Sequence, residues 1–237
     1  MHRDEYLKML CELRFPLTPA MIESLDSGLA SGNQSFELYW EGIYQINKAS
    51  AKIYFYKKIE SDEYVALRYD ASTQASTYPF EERKNSFILK DGKGITFREA
   101  YNLLQGRPIF KDFLTNSQVS YSAWLQLDFS ARDISGNYVE VKYPGRPRFD
   151  LDKAVRMYPI LELEDENDAN ELIWSLQRGD RVKVSFRKRR KIEKVLIEVN
   201  VKEKLLTIIP MHVLDVKKIG KNNSDEDMES EVEEPME

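Results

Sequence analysis

Helical and strand-like hydrophobic spacings alternate along the chain. Apolar residues recur every three or four positions in five segments, which predicts helices there. These segments span residues 3–14, 18–28, 96–106, 150–159 and 165–179. Between them, β-branched and aromatic residues form short runs bounded by turn residues, a pattern typical of strands. The predicted strands span residues 35–40, 43–46, 51–58, 63–69, 107–113, 121–129, 138–143, 181–186, 191–200 and 205–210. Helices that alternate with hairpins, without the crossover spacing of parallel strands, predict an α+β fold with antiparallel sheets.

Capping residues define where several of these helices begin. Thr18 followed by Pro19 is typical of an N-cap and a first helical residue. Thr96 and Glu99 have the spacing of a capping box, in which each side chain satisfies the other residue's backbone amide. Asp150 is the predicted N-cap of the next helix. The sequence therefore predicts three helix starts with some precision.

A recurring Leu-x-x-Gly pattern marks the predicted helix ends. Gly28, Gly106 and Gly179 each lie three residues after a Leu, and each is followed by a group of predicted strands. We expect these glycines just past a helix, in the left-handed conformation that glycine adopts without strain. The pattern favours an internal repeat of helix-plus-hairpin units. The alternative is that any helix leading into a strand tends to end in Gly.

Polar and charged segments suggest the domain boundaries. We predict an N-terminal α+β unit over 1–75, a linker over 76–93 and a second α+β domain over 94–220. The remaining residues, 221–237, contain eight acids and one Lys, and we predict a disordered acidic tail there. Because the whole chain has a net charge of -5, the residues before this tail carry +2. The folded part is therefore slightly basic.

The composition predicts where in the cell the protein is located. No apolar run approaches the length of a membrane span, and the N-terminal segment contains acids where a signal peptide needs an apolar core. The single Cys11 excludes an intrachain disulfide and suits a reducing compartment. We expect a cytoplasmic protein that does not associate with membranes.

The chain shows few signals of catalysis. His2 and His212 are far apart in the sequence and have no neighbouring Cys or His, so no metal site is predicted. Asp128 has no identifiable second carboxylate for acid–base chemistry. We therefore expect no enzymatic activity, no cofactor and no metal. The alternative is an enzyme whose site is assembled from unmarked residues such as Asp128, Lys111 and Arg107.

Five adjacent cations, Arg187 to Lys191, separate two alternating apolar runs. The runs predict two strands, so the cations are expected at the tip of a hairpin, and a change of alternation near Lys194 predicts a β-bulge. Such a basic ribbon can follow a phosphate backbone. The alternative is a tip that is merely solvated. The residues predicted to contact nucleic acid are Arg187, Lys188, Arg189, Arg190, Lys191, Lys183, Arg181, Arg107, Lys111 and Trp124.

The middle of the chain, about residues 94–210, contains a Leu-Leu-x-Gly-Arg helix end, a Trp-x-Gln-Leu-Asp-Phe strand and a later Leu-x-x-Gly-Asp-Arg segment. In these motifs it resembles an uncharacterised bacterial domain family found in proteins of conjugative transposons and related mobile elements. The matching positions are Gly106, Arg107, Lys111, Trp124, Gln126, Leu127, Asp128, Phe129, Gly136, Asn137, Tyr138, Asp150, Leu151, Ala154, Gly179, Asp180 and Arg181. The resemblance implies a role in DNA transfer or its accessory functions, and it implies no particular reaction.

These observations together predict a non-enzymatic accessory protein of a bacterial mobile element. Its expected partner is nucleic acid, with DNA favoured over RNA, bound through the basic hairpin. A second hypothesis is a protein–protein adaptor whose basic hairpin docks an acidic partner surface.

Overall fold

The structure is a computed structural model that describes residues 2–76, 80–90, 93–115, 117–145, 149–189 and 191–211. Over these residues, helices alternate with three sheets in which neighbouring strands pair antiparallel. The predicted α+β class with antiparallel sheets is therefore confirmed. The predicted acidic tail, residues 221–237, lies outside the described residues.

The elements follow one another in the order that the hydrophobic pattern predicts. The helices are α1 (Arg3–Glu12), α2 (Pro19–Ala30), α3 (Phe97–Leu104), α4 (Leu151–Val155) and α5 (Glu166–Gln177), with a 3-10 turn at Leu161–Glu164. The strands are β1 (Ser35–Tyr44), β2 (Asn47–Lys57), β3 (Tyr64–Gln74), β4 (Glu82–Lys90), β5 (Lys93–Gly94), β6 (Ile109–Leu114), β7 (Ser120–Arg132), β8 (Tyr138–Pro144), β9 (Val182–Lys188), β10 (Lys191–Asn200) and β11 (Leu205–Pro210).

Residue contacts divide the chain into two compact units. The first unit comprises Met1–Phe149 and Gln177–Asp180, and the second comprises Asp150–Leu176 and Arg181–Glu237. The predicted linker over 76–93 is wrong for Glu82–Lys90, because these residues form β4 beside β3. The alternation of β4 places Asn85, Phe87 and Leu89 inside, but its polar outward residues make the segment look like a loop.

The first unit contains a five-stranded sheet in the order β1-β2-β3-β4-β5 and a three-stranded sheet in the order β6-β7-β8. Apolar residues of α1, α2 and α3 join the inward side chains of the larger sheet in one core. Leu10, Leu25, Ile53 and Leu103 are completely buried there. Each fully buried Leu or Ile stabilises the folded state by about 1.5–3 kcal/mol, so this core accounts for much of the unit's stability.

The predicted helix starts are confirmed. Thr18 accepts a hydrogen bond from the Met21 amide, and Thr96 and Glu99 form the reciprocal capping box at α3. Asp150 accepts a bond from the Lys153 amide at the start of α4. These N-caps are present as predicted because a cap depends on residues no more than three positions apart.

Two of the three predicted helix ends are confirmed. Gly106 and Gly179 follow helices with φ of +83° and +80°. Gly28 instead lies inside α2, which continues to Ala30. A Cβ at Gly28 would lie 2.4 Å from the Phe36 ring, so close packing of helix against sheet requires glycine at that position. Gly28 is therefore not equivalent to Gly106 and Gly179, as the proposed repeat requires.

Residues Gln177–Asp180, where the chain rejoins the first unit, make buried polar contacts with α3 and with Arg107. The Asp180 carboxylate accepts hydrogen bonds from the Arg98 guanidinium at 2.8 and 2.7 Å and from the Asn102 amide at 2.9 Å. Arg107 donates to the Gly179 carbonyl at 2.8 Å. Asp180 is 4% exposed, so these bonds compensate the cost of burying its charge.

The second unit contains a three-stranded sheet in the order β11-β10-β9. Its buried side chains include Val155 of α4, Leu172 of α5, Val184 of β9, Ile197 of β10 and Leu206 of β11. The β9–β10 pairing runs without a register shift from Lys191–Lys188 to Ile197–Val182. The predicted bulge near Lys194 is therefore wrong. The apparent change of alternation arises because Ile192, an apolar residue, lies on the outward face and is 64% exposed.

Candidate nucleic-acid interface

The β9–β10 hairpin presents the basic run at its tip. Lys188 pairs with Lys191, and Arg189 lies in the turn that follows β9. Arg189 has a φ of +50°, in the left-handed region that costs a non-glycine residue about 1 kcal/mol. Arg187, Lys188, Arg189 and Lys191 are all exposed, and Arg190 lies outside the described residues. The prediction of a solvent-facing basic tip is thus confirmed for the four described cations.

Two cations of the tip meet carboxylates. Arg187 makes two bonds to Glu164, with Nη1 to Oε1 at 2.7 Å and Nη2 to Oε2 at 3.1 Å. Lys188 Nζ lies 2.6 Å from Glu193 Oε2. All four side chains are more than 40% exposed. Exposed pairs of this kind contribute about 0–1 kcal/mol, so a competing anion can displace either carboxylate at little cost.

Three other cations of the second unit have no such partner. Lys183, Arg189 and Lys191 are exposed and make no ion pair with any carboxylate among the described residues. Arg181, by contrast, lies 3.0 Å from Glu198, and both side chains are about 20% exposed. Among the predicted contacts in this unit, Arg181 is therefore the least available to a ligand.

The position of the hairpin is fixed at the outer edge of β9. The Arg187 amide donates to the Pro159 carbonyl at 2.8 Å, and Ile160 forms a bridge with Phe186. The Ser185 amide donates to both oxygens of Glu162 at 2.9 Å. These bonds occupy an edge that would otherwise offer unpaired backbone groups. The cations consequently project from a strand that is held on both sides.

Glu162 remains ionised within this edge contact. Burial acts to raise the pKa of Glu162, but the hydrogen bonds from the Ser185 amide and hydroxyl, together with the nearby charge of Lys194, lower it below its ordinary value. Lys194 also donates to the Ser185 hydroxyl. Lys194 therefore interacts with Ser185 and Glu162 and is less available to a ligand.

Charge is unevenly distributed along the second unit. Residues 150–176 contain eight Asp and Glu and two Lys and Arg, a net charge of -6. Residues 181–211 contain ten Lys and Arg and three Glu, a net charge of +7. The strand-forming segment is therefore strongly basic, which favours polyanionic ligands.

Three predicted contacts in the first unit are structural instead. Trp124 is 1% exposed, with ring centroids 5.1 Å from Phe110 and 5.6 Å from Phe149, so its ring is not accessible to a base. Arg107 is 6% exposed, and its guanidinium donates to backbone and side-chain oxygens within the unit. The assignment of Trp124 and Arg107 to nucleic-acid contact is therefore wrong, because both side chains lie in the interior.

Lys111 is also committed within the first unit. Its Nζ donates to the Gly94 carbonyl at 2.7 Å and to Glu99 at 2.8 Å. Glu99 is the residue that completes the capping box of α3, so Lys111 neutralises a buried carboxylate. We therefore do not retain Lys111 as a ligand contact.

The predicted site did not include the carboxylates that face the cations. Glu193 could have been found, because it lies on the same face of the hairpin as Lys188 once the register is known. Glu164 could not, since it lies 23 positions before Arg187 and no local pattern links them. Pairing of this kind depends on the tertiary fold.

No group of three or more His, Cys, Asp and Glu side chains in the described part of the chain is arranged to hold a metal ion. No described helix is long and apolar enough to cross a membrane.

Comparison with known proteins gave no match. No family model matches the chain, and neither a curated protein nor a solved structure is significantly similar to it. The resemblance to proteins of mobile elements thus stays a prediction, and functional inference depends on the hairpin itself.

Proposed function

We propose that the protein is a non-enzymatic nucleic-acid-binding protein whose β9–β10 hairpin contacts the phosphate backbone. The observation that carries the proposal is that Lys183, Arg189 and Lys191 are exposed on one hairpin without a carboxylate partner. Arg187 and Lys188 add two further cations whose partners are weakly held. Phosphate contacts of this kind carry affinity without base specificity.

DNA is the nucleic acid to test first. The resemblance to proteins of conjugative elements suggests a setting of DNA transfer, in which a sequence-independent contact would suffice. Accessory function, with no chemistry performed on the nucleic acid, agrees with a binding surface made of Lys and Arg side chains alone. These cations neutralise phosphates and release counterions, so binding should weaken steeply with salt.

The decisive experiment compares two double variants of equal charge. Arg189→Ser with Lys191→Ser removes two cations of the tip, whereas Lys202→Ser with Lys204→Ser removes two exposed cations beyond the other end of β10. Fluorescence anisotropy with single- and double-stranded DNA and RNA should show about tenfold weaker binding for the tip variant at low salt. The slope of log affinity against log salt should fall by about two.

The control variant should stay within about twofold of the parent. Equal losses in both variants would show that net charge, and not the hairpin, governs binding. Absence of binding by the parent at low salt to every probe would reject the proposal.

A protein–protein adaptor is the second candidate, and Ile192 is the observation that favours it. Ile192 pairs with Arg187 across the hairpin and is 64% exposed. An exposed apolar side chain contributes little to phosphate binding but suits the buried centre of a protein interface. Ile192→Ser should leave DNA affinity within about twofold of the parent. A large loss of DNA affinity would contradict a purely phosphate-directed hairpin.

A further inference from the structure

The outward face of the five-stranded sheet in the first unit contains a groove that the proposed function does not use. The register places Ser50 of β2 opposite Glu41 of β1 and Ser72 of β3. The two serine hydroxyls lie 2.9 Å apart. Because these short side chains are surrounded by long ones, they form the floor of a concavity of about 380 Å³.

Two aromatic rings line this groove. Tyr39 of β1 is 55% exposed, and Phe80, two residues before β4, is 37% exposed. Large aromatic side chains are normally buried, because each offers a large apolar surface. Exposed rings beside a floor of small residues are suited to contact the C–H faces of a flat or puckered ring.

Three polar side chains of the groove are free to bind, whereas the Tyr39 hydroxyl donates a hydrogen bond to Glu41. Lys48, Gln74 and Glu82 line it, and Gln74 lies opposite Glu82 in the β3–β4 register. None of these three side chains makes a hydrogen bond or ion pair with another described residue. Lys48 supplies donors, Glu82 supplies acceptors, and the Gln74 amide supplies both. The groove thus combines donors and acceptors in one place.

The mixture of charges restricts the class of ligand. Glu41 and Glu82 oppose an anionic group such as phosphate, and Lys48 opposes a cation. A neutral molecule with alternating donors and acceptors satisfies all of these groups, and its C–H surface suits Tyr39 and Phe80. We propose that this groove binds a neutral saccharide. The proposal does not rest on the nucleic-acid function, since it concerns different residues in the other unit.

The test uses the full chain and a defined panel of sugars. Saturation-transfer NMR with glucose, galactose, N-acetylglucosamine, cellobiose and chitobiose should show transfer to at least one of them. Affinity in the millimolar range is expected for an open groove. Arginine methyl ester and inorganic phosphate are included as the cationic and anionic alternatives.

Variants locate the binding. Tyr39→Ala and Gln74→Ala should each weaken the sugar about tenfold or more. Tyr56→Ala is the matched control, because Tyr56 is 37% exposed on β2 of the same sheet but does not line the groove. This control should leave affinity within about twofold of the parent. Thermal melting of each variant checks that it is folded.

Three outcomes would overturn the proposal. The first is the absence of saturation transfer to every sugar of the panel. The second is an equal effect of Tyr39→Ala and Tyr56→Ala, and the third is preferential binding of arginine methyl ester or phosphate.

Discussion

Arg98 in the first unit and Arg187 in the second each make two bonds to one carboxylate, but the surroundings of the two pairs differ. The side chain of Asp180, the partner of Arg98, is 5% exposed, whereas that of Glu164, the partner of Arg187, is 59% exposed. A buried carboxylate needs its cation, because an unpaired charge in the interior is costly. An exposed carboxylate is solvated with or without its partner.

The difference extends beyond these two pairs. Arg107 and Lys111 of the first unit also donate to buried oxygens, and they serve the fold. Lys183, Arg189 and Lys191 of the second unit face solvent without a carboxylate. The availability of a cation for a ligand therefore depends on the burial of its partner and not on its residue type.

The largest expected effect comes from breaking the pair whose carboxylate is buried. Asp180→Ala leaves Arg98 and the Asn102 amide without their shared acceptor, so the free energy of unfolding should fall by about 2–4 kcal/mol. Urea denaturation measures this change. Glu164→Gln, at the exposed pair, is the control and should cost no more than about 1 kcal/mol. Similar losses in the two variants would remove the distinction between the units.

A smaller effect is expected when the carboxylates of the hairpin are neutralised. Glu164→Gln with Glu193→Gln releases Arg187 and Lys188, so DNA affinity at low salt should rise about three- to tenfold. Anisotropy titration measures the gain. Glu166→Gln with Glu203→Gln makes the same change of charge at exposed positions outside the hairpin. An equal rise in this control would attribute the effect to net charge alone.

The smallest expected effect is a pH dependence at the edge of β9. The folded pKa of Glu162 is below its ordinary value of 4.5, so its ionised form stabilises the fold above that pH. This stabilisation should be lost as the pH falls through the lowered pKa, where the native carboxylate takes up its proton. Glu162→Gln should therefore be less stable than the parent near neutral pH, and the difference should shrink in acid. Urea denaturation between pH 3 and 7 tests this, and a difference that is constant with pH would contradict it.

Local signals in the sequence predicted much of the fold. The caps at Thr18, Thr96 and Asp150 formed because each joins residues a few positions apart. The left-handed glycines Gly106 and Gly179 were likewise predicted, since a helix end requires that conformation. The strand order within each sheet follows chain order, because short connections keep successive antiparallel strands adjacent.

Tertiary packing decided what these local signals could not. Gly28 resembles a helix end in the sequence, but contact with Phe36 explains its presence inside α2. Trp124 resembles a stacking residue, but its ring packs against Phe110 and Phe149 and is 1% exposed. Burial depends on neighbours that are distant in the chain, so neither outcome has a local signature.

At the candidate site, too, the sequence predicted one part and the tertiary structure decided the other. The sequence by itself predicted the basic run at a hairpin tip, because the alternating runs on either side require a turn between them, and the four described cations of the run lie there. Only the tertiary structure decided that Arg187 faces Glu164 while Lys191 has no carboxylate partner among the described residues. Charge is a property of each residue, whereas the pairing of charges depends on which distant segments the fold brings within a few ångströms.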